Sequence, residues 1–381
     1  MRDLRQDDID RRSLLRLGGG TAAALAVAPL ASSAVAARRD PVAEGSLRKL
    51  ADSKGLYCGT AVLASDLDRP EIRGALRADC NILVPEVEMK WGVVQHSPGG
   101  PLDFSAAEKI HRFAVANDMK LRGHALCWWN SQPAWAKEFF ADKSARETGD
   151  YIQKYIHAVA SHWRGRVVQW DVVNEPVGGE DRILDELLGP KMGDSFMDLA
   201  FETAADADPG ALRVLNHDWI AQDMPYQQRQ FDSTVRLIDR LMNRGVKIQC
   251  FGFEGHLMTA HGFMEAKWRR FCDDLTGMGL KLMITELDVD DAGTEGDIAH
   301  RDRESAALAG AVLDMMLSYP QCLGVLSWGV SDGQSWLRKE PGRARKDGKP
   351  QRPAPRDDRL KPKPIWQAIA KAIGNAPPRP A

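Results

Sequence analysis

Val167-Val168-Gln169-Trp170-Asp171-Val172-Val173-Asn174-Glu175 is the stretch on which the fold turns. It is short, mostly apolar and rich in β-branched residues, and it ends in an amide and a carboxylate. Such a run reads as a strand buried on both faces, which is the pattern of a parallel sheet. Seven further runs share its character: Tyr57–Leu63, Asn81–Glu86, Lys120–Trp128, Leu212–Asp218, Lys247–His256, Lys281–Asp288 and Cys322–Val330. Helix-like stretches with apolar spacings of three and four lie between them, among them Ser105–Asp118, Arg146–Trp163, Pro225–Arg244 and His300–Tyr319. Ser105 stands as a helix-start signal before Ala106-Ala107-Glu108. Regular alternation of strand and helix implies a parallel sheet, and eight units imply a closed barrel. The expected architecture is therefore α/β, a single-domain (β/α)8 TIM barrel over residues 45–375. No linker, Ser/Gly tract or internal repeat divides it.

Composition removes several other classes. The 381 residues are 44% apolar, and 51 basic residues against 53 acidic ones leave a formal net charge of −2. No global positive field draws in phosphates, so a nucleic-acid partner is not expected. After the N-terminus no apolar run is long enough to span a membrane. The six cysteines form no CxxC pair, and each lies alone in an apolar stretch. Cys58, Cys80, Cys127, Cys250, Cys272 and Cys322 therefore read as buried thiols. No HExxH occurs and no GxGxxG follows a strand, so neither a metal nor another cofactor is expected.

The ends of the chain read differently. Arg11-Arg12-Ser13-Leu14-Leu15-Arg16, the apolar run Leu17–Leu30 and the small-residue site Ala34-Val35-Ala36 follow one another. Residues 1–36 thus resemble a bacterial twin-arginine export signal, which implies a periplasmic or extracellular protein. The Pro-rich residues 376–381 read as a disordered tail.

A barrel enzyme places its chemistry at the C-terminal ends of its strands. Those ends carry Glu86, His124 with Trp128, Asn174-Glu175, Asn216-His217-Asp218, Glu254 with His256, Glu286 with Asp288, and Trp328. A glutamate ending an apolar strand is costly unless paired or functional. Glu175 and Glu286 end the fourth and seventh strands and suit glycoside cleavage. One carboxyl protonates the leaving oxygen and the other attacks or activates water. Direct attack needs a separation of about 5–5.5 Å, and inversion through water about 6.5–9.5 Å.

These segments resemble those of family 10 glycoside hydrolases, the (β/α)8 endo-β-1,4-xylanases, over nearly all of residues 45–375. The family's acid/base motif matches Trp170–Glu175 and its nucleophile motif matches Ile284–Asp288. The resemblance implies Glu175 as acid/base, Glu286 as nucleophile and retaining hydrolysis of xylan without metal or cofactor. It also implies a His256–Asp288 pair supporting Glu286, and Asn174 at the 2-hydroxyl of the cleaved sugar. Glu86 and Lys90, His124 and Trp128, Glu254, Trp328 and Trp336 would hold the sugar. Flat indoles suit the C–H faces of pyranoses. Trp163, Trp268 and Trp366 lie on helices and read as core.

Four positions depart from the family pattern. Val87 stands where asparagine is usual, Trp129 replaces a histidine, and Ser131 replaces a glutamine that the adjacent Gln132 could supply. Glu254 replaces a glutamine, which puts a third carboxylate near the pair. Residues 338–363 carry eleven basic residues against four acidic ones and follow the eighth strand. They read either as a solvated loop or as an electrostatic contact for the uronic acids of glucuronoxylan. The expected partner is polysaccharide, xylan with glucuronoxylan a candidate, and the expected state is a monomer. Two alternatives stay open: a barrel glycosidase for another β-1,4-glycan or short xylo-oligosaccharides, and a polysaccharide-binding protein with negligible turnover.

Overall fold

The computed structural model describes residues 45–218 and 221–379, so the export signal read at residues 1–36 lies outside the described residues. Ten strands build the sheet: β1 (Tyr57–Val62), β2 (Ile82–Pro85), β3 (Lys120–Gly123), β4 (Cys127–Trp128), β5 (Gln169–Asn174), β6 (Leu212–Asp218), β7 (Cys250–Glu254), β8 (His256–Met258), β9 (Lys281–Asp290) and β10 (Cys322–Ser327). Neighbours run β10-β1-β2-β3-β5-β6-β7-β9, and β9 pairs with β10, so the ring closes on itself. The eight wall strands are parallel, as the (β/α)8 reading requires. The other two continue wall strands across short breaks: β4 follows β3 and pairs with β5, and β8 follows β7 and pairs with β9. The sequence reading treated each of those pairs as one strand. The breaks fall at residues 124–126 and at Gly255.

The helices follow local signals. Ala145–His162 opens with Ser144, which accepts from the Glu147 amide, while Glu147 reaches back to the Ser144 amide. The helix expected from His300 starts earlier, at Ile298, because Asp297 caps it by accepting from the His300 amide at 2.7 Å. Ser105 is not the cap expected of it. It is the first helical residue, and Asp103 accepts from its amide at 2.8 Å.

Alternation along each strand divides the core into two regions. Outward residues such as Leu83, Leu121, Leu215, Phe251 and Ile284 pack with helix residues including Ile110, Val159, Phe201 and Leu237. Inward residues Ala61, Ile82, Val84, Val214, Cys250, Met283 and Leu326 fill the barrel itself. Trp163 and Trp268 are buried in the outer region as expected, and Trp366 packs against it while donating to Asp79 at 3.1 Å. All six cysteines are buried and free.

Two expectations about the C-terminal part are corrected. Residues 338–363 are only in part the solvated loop: 339–342 and 346–350 are exposed, whereas several of the basic side chains are paired with carboxylates of the barrel and its helices. Arg356 binds Asp79 at 2.7 Å, Arg352 binds Asp302 at 2.8 Å, Lys363 binds Asp332 at 2.8 Å, and Arg345 lies beside Asp347 and Asp291. The spacing of basic residues could not show this, because their partners are distant in sequence. The tail read as disordered is docked as far as Arg379. Its amide donates to the Lys54 carbonyl at 2.8 Å, and its guanidinium donates to the carbonyls of Cys322 at 2.8 Å and Leu317 at 2.9 Å.

Gly252 marks a tight contact beneath the rim. A Cβ there would stand 2.2 Å from Asn216 Oδ1 and 3.0 Å from Thr285 Cγ2. Gly252→Ala is therefore expected to cost about 1–3 kcal/mol and to displace the Asn216 side chain. Urea unfolding measures the first effect. Unchanged stability together with unchanged activity would show that the contact has slack.

Candidate active site

The period of two that fills the barrel also builds the site. Beyond inward Val214 on β6 come Asn216 and Asp218, and beyond Cys250 on β7 come Gly252 and Glu254. The barrel interior thus changes from apolar at its base to polar at its waist and acidic at its rim. At the waist, fully buried Arg122 donates to Asp171, and His124 Nδ1 lies 2.7 Å from the other Asp171 oxygen. Thr285 Oγ1 donates to Asn216 Oδ1 at 2.7 Å. A buried guanidinium is tolerable only with such pairing.

Asn216 transmits this order to the rim. Its Nδ2 lies 2.8 Å from Asn174 Oδ1, 2.9 Å from Glu254 Oε1 and 3.0 Å from Glu286 Oε1. Its carbonyl accepts from the Glu175 amide at 3.0 Å. Glu175 itself has φ 48°, a left-handed conformation costly for a residue with a side chain. The strand ends there, and Asn174 Nδ2 donates to Glu175 Oε1 at 3.3 Å. Across the rim, His256 Nε2 stands 3.3 Å from Glu286 Oε2 while its Nδ1 stands 2.9 Å from Asp288 Oδ1. Trp336 Nε1 donates to the second Asp288 oxygen at 2.8 Å.

The rim groups line one cleft of about 360 Å³. Of the residues singled out in the sequence, Glu86, Lys90, His124, Trp128, Asn174, Glu175, Glu254, His256, Glu286, Trp328 and Trp336 line it. Asp288 sits behind His256 and Trp336. Lys90 Nζ lies 4.3 Å from the centre of the Trp128 ring. Asn130, Asp218 and Glu340 also line the cleft and were not singled out as site residues. Nor were Arg122, Asp171 and Thr285 beneath it. An arginine inside an apolar strand was a usable signal for the Arg122–Asp171 pair. Gln132 does not stand in at the cleft, because its Nε2 is bound to both Asp185 oxygens at 2.9 Å. Exposed Trp129 lines a neighbouring depression with Gln132, Lys137 and Arg182.

A family model described as glycosyl hydrolase family 10 matches residues 46–372. The chain belongs to that family. It is similar to endo-1,4-beta-xylanase B of Thermotoga neapolitana, 28% identical over 330 residues, covering 86% of this chain and 91% of that one. It is also similar to endo-1,4-beta-xylanase 3 of Hypocrea jecorina, 29% identical over 300 residues, covering 78% and 80%. Among solved structures it resembles native xylanase 10B from Thermotoga maritima with a TM-score of 0.77 and 28% identity, covering 86% of this chain and 98% of that one.

In this family 10 chain the two rim glutamates are electrostatically unlike. Burial raises Glu175, and the charge of nearby Asp218 adds to it, reaching about 8. Burial would raise Glu286 too, but the His256 hydrogen bond and the cationic groups around it outweigh burial and hold it below the usual carboxylate range. His256 is the counterpart: burial lowers it, yet Asp288 and Glu286 together lift it to about 10. Glu86 is pushed by burial to about 7. Glu254, His256 and Glu286 place donor atoms within 4.8 Å of one another, a spacing a metal ion could use. However, both His256 nitrogens face carboxylates and the ring is held protonated, which leaves no lone pair for a metal.

Glu175 gives a stability test with a definite sign. The fold disfavours its ionised form, so the cost to the wild type grows as pH rises from 4.5 to about 8 and is constant above. Glu175→Gln removes that cost. Its stability advantage should widen through this window to the order of a few kcal/mol and then level off. Thermal melting across pH reads it, and an advantage equal at both ends would show that the carboxyl is not raised.

Proposed function

We propose that this chain is an endo-1,4-β-xylanase that cleaves the xylan backbone with retention at the anomeric carbon. The observation that carries the reading is the pair of rim glutamates in one indole-walled cleft, with Glu286 3.3 Å from a histidine that Asp288 fixes and Glu175 raised by burial. Glu175 gives its proton to the glycosidic oxygen as the C–O bond breaks. Glu286 attacks the anomeric carbon as a carboxylate and forms a glycosyl ester. Glu175, now ionised, takes a proton from water. The resulting hydroxyl attacks the anomeric carbon and releases Glu286.

The neighbours have roles that follow from their positions. His256, fixed by Asp288, keeps Glu286 ionised. Asn174 is placed to hydrogen-bond the 2-hydroxyl of the reacting sugar, a contact that tightens in the transition state. Trp128, Trp328 and Trp336 offer flat faces to pyranose rings, and Glu86 and Lys90 offer polar contacts to hydroxyls. The xylanases to which the chain is similar support xylan as substrate.

Finer parts of the proposal concern substrate decoration, assembly and location. Lys339 lies close enough to Glu86 to favour its charge and is a candidate contact for a uronic acid on glucuronoxylan. A preference for glucuronoxylan over neutral arabinoxylan that salt leaves unchanged would remove that contact. The protein acts as a monomer, which size-exclusion chromatography with light scattering checks. It is exported through residues 1–36. Replacing Arg11 and Arg12 by lysine should block export of a folded reporter, and undiminished export would refute the twin-arginine assignment.

The central test is product analysis. Residues 37–381 incubated with beechwood glucuronoxylan should release xylo-oligosaccharides of mixed length early and release nothing from carboxymethylcellulose. The first-formed product should be the β-anomer by proton NMR, and an α-anomer would mean inversion. Glu175→Ala should lower kcat/KM on xylan by about 10²–10⁴-fold, and Glu286→Ala should abolish turnover.

A further inference from the structure

The orientation of the Asn216 amide is determined from below. Its Oδ1 accepts from Thr285 at 2.7 Å and lies 3.5 Å from Arg122 Nη2, so its Nδ2 must face the rim. There it meets oxygens of Asn174, Glu254 and Glu286 at 2.8, 2.9 and 3.0 Å. An amide nitrogen carries two hydrogens, so three acceptors exceed its supply. Two of the three belong to buried carboxyl groups converging on one atom. Like charges so placed do not both ionise, and one of the two keeps a proton.

The surroundings decide which one. Glu286 has a cation against it, His256 at 3.3 Å, itself held by Asp288. Among the described residues no basic side chain lies within salt-bridge distance of Glu254. It faces carboxylates on three sides: Glu286 from β9, Glu175 and Asp171 from β5, and Asp218 from β6. The positive groups around it are Lys90, after β2, His256, whose nitrogens are already engaged by Glu286 and Asp288, and Arg122, which lies beneath the Asn216 amide and is paired with Asp171. Burial, with these neighbours adding to it, pushes Glu254 well above the usual carboxylate range.

We propose that Glu254 is a positioning residue that works as a neutral carboxylic acid, holding the cluster's proton so that negative charge collects on Glu286 alone. The inference rests on reading Glu286 as the nucleophile. Ionised Glu254 would compete for the Asn216 hydrogen and repel the Glu286 carboxylate from its attacking position. The site is therefore active only while Glu254 is protonated.

The infrared experiment uses the Glu175→Gln/Glu86→Gln background, which removes the other two strongly raised carboxyls lining the cleft. Infrared difference spectra at neutral pH should show a protonated-carboxyl C=O band that disappears on adding Glu254→Gln. Glu254→Leu, apolar and similar in volume, should remove the same band, so the result does not depend on one variant folding. The second readout is the rate at which an activated 2-fluoro-xylobioside labels Glu286, a reaction that needs no acid catalyst. In Glu175→Gln this rate should fall about tenfold per pH unit once Glu254 ionises, and in Glu175→Gln/Glu254→Gln it should stay level over the same range. A band that survives both Glu254 substitutions overturns the proposal. So does a lost band with identical pH dependence of labelling in the two variants. Absence of any label on Glu286 would instead count against the glycosidase reading, and the infrared spectra would still decide where the proton sits.

Discussion

Burying several carboxyl groups at one end of a barrel is the constraint around which this molecule is arranged. Each ionised oxygen removed from water needs a donor or a counter-charge, and a crowded rim has few to spare. The Asn216 side chain serves most of that need. It is anchored beneath by Thr285, with Arg122 nearby, and it distributes its hydrogens above among Asn174, Glu254 and Glu286. Gly252 leaves room for it, since any side chain there would collide with its oxygen. Asn216, Gly252 and Thr285 come from three adjacent strands, so the barrel's register is itself part of the electrostatics.

The same constraint explains the unlike glutamates. Among the described residues no basic side chain lies within salt-bridge distance of Glu175, and burial with Asp218 nearby raises it. Glu286 is backed by an imidazolium that Asp288 locks in place, and it loses its proton. Trp336 completes this support by donating to Asp288, and so joins an indole of the cleft wall to the ion pair behind the nucleophile position. The segment that follows Trp336 is tied to Asp79, Asp302 and Asp332 through Arg356, Arg352 and Lys363.

Much of this was legible in the sequence. Eight short β-branched runs alternating with helical stretches specified a closed parallel barrel, because strand and helix periods depend only on local geometry. The glutamates, histidines and indoles at the strand ends could be placed on one face by the same reasoning. Strand breaks at residues 124–126 and Gly255 were not visible, since the hydrophobic pattern runs straight across them. The lysines and arginines of residues 338–363 were misjudged for a related reason: composition records a charge but not the carboxylate that meets it. Arg379 is a similar case, a basic residue in a Pro-rich tail that finds four backbone carbonyls, directly or through its own amide.

Fold class, strand order around the rim and the placement of Glu175 and Glu286 at strand ends were thus legible in the sequence alone, because all three follow from residue type and period. Protonation was decided by the tertiary structure. Glu175, Glu254 and Glu286 are chemically identical side chains at the ends of similar strands. What separates them is the distance to His256, Asp218 and the Asn216 amide, and these distances exist only once the barrel closes.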